Sequence, residues 1–147
     1  MSMFTLDSLN TESKQEAGAW LHLVDPATGE LAYADEEETK PCRVKLKGWQ
    51  SDAGKQLALS GRNKALREAV KQGKKAQDIT LDDLRENAET DAKALTELTI
   101  GWENILDKDG NEVKFTKENV KNAMLNALDL RRQCLEFIND QKVFFKA

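Results

Sequence analysis

Apolar and polar positions change their period along this chain, and the changes predict an α+β domain. From Ala19 to Ala34 the text AWLHLVDPATGELAYA places two apolar stretches around Asp25-Pro26-Ala27-Thr28-Gly29. Proline suits an early turn position there and glycine a positive φ, so a β-hairpin is predicted. From Pro41 to Gly48, Cys42, Val44 and Leu46 alternate with Arg43, Lys45 and Lys47, which is the two-residue period of a half-buried strand. The front of the chain therefore reads as a small N-terminal antiparallel sheet of about three strands.

Helical spacing takes over afterwards. Ser51 or Asp52 can cap a helix whose apolar face carries Leu57, Ala58, Ala65, Leu66, Ala69 and Val70, ending near Gly73, although Gly54 and Gly61 weaken it. Thr80 followed by Leu-Asp-Asp is a stronger start, because a cap oxygen and two first-turn carboxylates complement free amides and the helix dipole. Leu81, Leu84, Ala88, Ala92, Leu95 and Leu98 supply that helix's stripe. Gly101 breaks the helix, and Asp107-Lys108-Asp109-Gly110-Asn111 predicts a tight turn. Thr116 caps a last long helix striped by Val120, Met124, Ala127, Leu128, Leu135 and Ile138. The fold class is thus α+β, a predominantly helical single domain with three main helices. Residues 1–16 read as a flexible arm, 17–140 as the domain and 141–147 as an apolar tail.

Composition narrows the function. Across 147 residues, 39% are hydrophobic and 33% charged, with a net charge of −4, a balance that supports one folded core. An acidic chain lacks the concentrated cations that phosphate binding needs, so no nucleic-acid partner is expected. No apolar run approaches the roughly 20 residues of a membrane span, and the N-terminus does not resemble a signal peptide, so no membrane partner is expected and the cytosol is the expected compartment. Cys42 and Cys134 sit in no metal-ligand spacing and read as two reduced thiols. Charge is uneven: residues 51–75 hold seven cations against two anions, and residues 78–97 hold seven anions against two cations. Two neighbouring helices with complementary faces explain that, as do two opposite docking surfaces.

Catalytic chemistry finds little supply, and no enzyme, cofactor or metal is expected. His22 is the single histidine, flanked by Leu21 and Leu23, and is expected to point outward or find a local partner rather than act as a general base. Asp107, Asp109 and Asn111 resemble the opening of a calcium loop, but Gly110 comes too early and a tight turn accounts for the same residues. What stands out is large apolar surface. Trp49 and Trp102 each follow a glycine at an element boundary, and Phe137, Phe144 and Phe145 cluster near the chain end. These five are the candidate partner-binding residues, with core packing the simpler role for the indoles.

The segments Leu98-Thr99-Ile100-Gly101-Trp102-Glu103-Asn104-Ile105, Asp109-Gly110, Phe115-Thr116-Lys117-Glu118-Asn119-Val120 and Phe137-Ile138-Asn139-Asp140 resemble tail assembly chaperones of long-tailed, siphovirus-type bacteriophages. The Gly29 turn, Arg43-Val44-Lys45-Leu46 and Gly48-Trp49-Gln50-Ser51-Asp52 are similar to the front half of such proteins, with Gln50 a departure. The resemblance implies a transient chaperone in the host bacterial cytoplasm that binds the tape measure protein, promotes tail tube protein polymerisation and is absent from the virion. It also implies a frameshifted longer form of the chain as a partner, and self-association is left open. A structural tail or connector subunit is one alternative. A small regulator docking residues 55–75 on nucleic acid is another.

Overall fold

The computed structural model describes residues 5–6, 11–60, 81–140 and 142–145. Its elements in chain order are α1 (Glu12–Ala17), β1 (Ala19–His22), β2 (Arg43–Leu46), a helical stretch at residues 52–60 (α2), α3 (Leu81–Leu98), β3 (Thr99–Glu103), α4 (Lys117–Asn126), α5 (Leu128–Asn139) and α6 (Lys142–Phe145). The expected α+β domain with a three-stranded antiparallel sheet is present. Thr80, Gly61, Gly73, Arg62 and Lys75 lie outside the described residues. So do most of the expected basic helix, and the Leu81 and Leu84 side chains.

Alternation builds the sheet. Val44 and Leu46 of β2 are fully buried while Arg43 and Lys45 point outward, and β1 pairs against them with Leu21 opposite Val44 and Ala19 opposite Leu46. The third strand, however, is not N-terminal. Residues 31–34 of the predicted hairpin contribute only the isolated bridges Val24–Leu31 and Tyr33–Pro41. The sheet is completed instead by β3, which follows α3 directly and lies against β2 in the order β1-β2-β3. Thr99 and Trp102 are both buried although three residues apart, a spacing that a strict two-residue period forbids. The register shift at Lys45/Leu46 resolves it: Gly101 pairs with Lys45 and Thr99 with Leu46, leaving Ile100 as the bulged residue.

The helices cover one face of this sheet. Ala92, Leu95 and Leu98 from α3, Val120 and Met124 from α4, and Cys134 and Ile138 from α5 join Val44, Leu46 and Trp102 in a single core. Thr116 caps α4 as expected, its hydroxyl accepting from the Asn119 amide at 3.1 Å. The last long helix is broken, which the apolar stripe does not reveal. Ala127 leaves helical geometry with φ −102 and ψ 90, and the Arg131 guanidinium donates to the Met124 and Leu125 carbonyls at 2.9 and 3.2 Å. A side chain thus supplies donors for carbonyls that α4 leaves open at its end.

Both ends of the described fold are tied into it. The helix α1 begins inside the expected arm, with Thr11 and Gln15 buried. The Gln15 side chain accepts from the Gln50 amide and its carbonyl accepts from the Gly48 amide, at 2.8 and 3.0 Å, so tertiary bonds hold a segment whose own composition is polar. At the other end Phe144 is fully buried and meets Phe137 edge-on, 6.1 Å between centroids. Lys14 of α1 donates to the Phe145 carbonyl at 3.1 Å, joining the two termini of the described fold.

Candidate functional site

An open apolar cleft lies between the hairpin, the end of β3 and the start of α5. Leu23, Tyr33, Cys42, Ile105, Leu106 and Leu130 are among its lining residues, and it measures about 370 Å³. An apolar cavity of about 150 Å³ takes a benzene-sized guest, so this space admits roughly two apolar side chains. Three side chains fasten its walls to one another. The Gln133 amide of α5 makes paired bonds with the Val24 backbone, donating to the carbonyl and accepting from the N–H, both at 2.8 Å. Asn104 takes a left-handed backbone, φ 58, and donates to the Pro41 carbonyl at 2.8 Å. His22 bonds the Ala32 carbonyl through Nε2 at 2.8 Å and packs edge-on against Tyr33 at 5.0 Å. The histidine has the local structural partner its sequence position suggested.

Carboxylates rim the cleft. Asp25 and Asp129 are the charged residues among its lining. The Gln133 amide and then the Arg132 guanidinium hold the Asp129 carboxyl below its ordinary range. From Tyr33 and Cys42, both in the lining, springs the loop 34–40, with Glu36, Glu37 and Glu38 exposed. Asp35 organises that loop: its carboxylate accepts from the Thr39 and Lys40 amides and the Thr39 hydroxyl. The hydroxyl contact is the first of the effects that hold the Asp35 carboxyl below its ordinary range. A depressed carboxylate contributes order above its unfolded pKa and loses it as pH falls through the folded value, so the loop is tied at neutral pH. Cys42 is half-buried, and burial pushes its thiol upward; Cys134, inside the core, is pushed up to about 12 and stays protonated at neutral pH.

The five sequence candidates divide. Trp102 is 8% exposed, its indole N–H donating to the Val113 carbonyl at 3.0 Å and its ring meeting Phe115 edge-on at 5.7 Å. Phe144 is fully buried. These two rings can shape a surface but do not form one. Trp49 and Phe137 are half-buried, Trp49 donating to the Asn139 side chain at 2.8 Å, and Phe145 is 39% exposed. The structure therefore links Trp49, Phe137, Phe144 and Phe145 around the end of α5, and sets Trp102 apart beneath the 107–113 turn.

That turn is closed by its own hydrogen bonds, as a tight turn would be: the Asp107 side chain accepts from the Asp109 and Asn111 amides, both at 2.9 Å, and Gly110 has φ 80. Among the described residues, no group of three or more His, Cys, Asp or Glu is placed to hold a metal, and no helix is long and apolar enough to cross a membrane. Lys55, the first cation of the basic segment in the described residues, is ion-paired with Glu12, and Glu97 of the acidic segment pairs with Lys117 at 2.8 Å. The cleft's fastening residues Gln133, Asn104 and His22 were not singled out as a group by the sequence. Asparagine's tolerance of left-handed backbone is the one signal that marks Asn104.

Fold and cleft together define a small α+β domain that presents an open apolar recess whose charged lining residues, Asp25 and Asp129, are both carboxylates. Residues 53–141, more than half the chain, match the model of the YdaY prophage protein family, and the chain belongs to that family. It is a phage-derived protein. No curated protein and no solved structure matches it.

Proposed function

We propose that this prophage protein is a non-enzymatic tail assembly chaperone, acting in the host bacterial cytoplasm by binding the tape measure protein and promoting tail tube polymerisation around it. The observation that carries this reading is the open cleft, an apolar recess fixed by Gln133, Asn104 and His22 and lined in part by the exposed Leu106. A helical, aggregation-prone partner is kept soluble by recesses that accept its apolar ridge while charged surface faces water. Membership of a prophage family and the resemblance to tail chaperones support the same reading. A second surface runs along α5, where Leu128 at the start of the helix, 69% exposed, lines an open groove with Leu135 and Ala88; it suits a further contact with tube protein, with another copy or with a frameshifted form.

Co-expression tests it. The tape measure protein encoded by the same prophage is expected to move from the pellet to the soluble fraction when this chain is present, and the two are expected to co-purify. Unchanged insolubility, with no co-purification, would contradict the proposal.

A further inference from the structure

The cleft's surroundings say what kind of chain it takes. Over residues 25–40 there are six carboxylates, at Asp25, Glu30, Asp35, Glu36, Glu37 and Glu38, and one cation, Lys40. Asp35 is spent on the loop's own hydrogen bonds, which leaves Glu36 to Glu38 exposed. On the opposite wall Asp129 adds another carboxylate, although Arg132 donates to it at 2.7 Å. The floor is apolar, both charged residues of the lining are carboxylates, and the loop between the lining residues Tyr33 and Cys42 is acidic.

Resting on the chaperone reading, which it makes more specific, we infer that the cleft binds a basic amphipathic helix. Apolar side chains at i and i+3 or i+4 would enter the recess, and lysine or arginine on the flanks would lie against Glu36, Glu37 and Asp25. Charge complementarity selects this occupant. An acidic or neutral helix would place like or uncompensated charge beside the rim, and a nucleic acid strand would bring phosphates to it. The size of the recess agrees, since about two apolar side chains, the pair one helical turn presents on one face, fill it.

The probe is a synthetic helix of about 18 residues, five turns, with leucine at i, i+3, i+4 and i+7 and lysine elsewhere. A matched peptide carries glutamate for lysine. Binding is read by fluorescence anisotropy, and its place by the rate at which Cys42, in the cleft wall, is alkylated relative to the denatured protein. The lysine peptide is expected to bind, to slow Cys42 alkylation several-fold and to weaken with added salt. The doubly substituted Glu36→Lys, Glu37→Lys protein is expected to lose about tenfold in affinity for it and to gain affinity for the glutamate peptide. Both positions are exposed, and an unchanged unfolding transition confirms that the fold is intact. Equal binding of the two peptides would overturn the inference. So would absence of binding, an unprotected Cys42, or a charge swap without effect.

The outcomes separate the inference from the function beneath it. If the tape measure protein is kept soluble equally well by the charge-swapped chain, the cleft assignment fails and the chaperone reading stands. If the lysine peptide binds as expected but the tape measure protein does not associate, the cleft assignment stands and the chaperone reading fails.

Discussion

Phe144→Ala is expected to destabilise the fold by about 3–5 kcal/mol, the range for emptying a fully buried phenylalanine site. The side chain has no exposure, packs edge-on to Phe137 and belongs to a four-residue helix that closes against α1. Without that ring, little remains to hold α6 down, because a helix this short has no stability of its own. The neighbouring Phe145→Ala removes a ring that is 39% exposed and is expected to cost well under half as much. Urea unfolding of the two variants makes the comparison. Equal midpoints would mean that the chain end is not docked as described.

Gly54→Ala is the second large effect, and its sign runs against propensity. In an exposed helix interior alanine is better than glycine by about 1 kcal/mol, and Gly54 lies in the first turn of α2. A Cβ there would fall 2.4 Å from the Trp49 carbonyl oxygen and 2.6 Å from its Cα. Both are backbone atoms, which have no rotamer to escape into. The same turn depends on Ser51, whose buried hydroxyl donates to the Gly48 carbonyl at 2.6 Å and accepts from the Gly54 amide at 3.1 Å. Gly54→Ala is therefore expected to cost about 1–3 kcal/mol through overpacking. Thermal unfolding checks it, and a raised midpoint would contradict the close approach.

Much of this architecture is written in local pattern. The alternation from Arg43 to Leu46 marks β2, the stripe ending at Leu98 marks the end of α3, and Thr116 before Lys117-Glu118-Asn119 marks the start of α4. Each is a short-range rule acting on neighbours in the chain. The parts that were not legible depend on distant residues. Gly101 looks like a helix breaker and nothing more until Lys45 is known to lie opposite it, and the bulge at Ile100 hides the alternation of Thr99 to Glu103. The break at Ala127 involves neither glycine nor proline, and its compensating donor sits four residues later on Arg131. The polar Glu12–Ala17 segment is helical because Gln15 finds Gly48 and Gln50 across the fold.

For the candidate surface the same division holds. Trp49, Trp102, Phe137, Phe144 and Phe145 are visible as large apolar residues, but whether such a ring faces the core or solvent is settled by packing. Trp102 and Phe144 went inside, and Phe145 stayed partly exposed. The cleft was harder to foresee, because Leu23, Tyr33, Cys42, Ile105 and Leu130 come from four separate stretches of the chain. Only the fold assembles them, with Gln133 and Asn104 as fasteners. The acidic run Asp35 to Glu38 was plain in the sequence, but that the stems of its loop, Tyr33 and Cys42, line an apolar recess was not.

The proposed transient role in building a tail is tested most directly on particles. After induction of the prophage, quantitative mass spectrometry of the lysate and of purified particles is expected to find this chain abundant in the first and missing from the second. Deletion of its gene is expected to leave heads without tails. Stoichiometric retention of the chain in purified tails would contradict the account and identify a structural tail subunit instead.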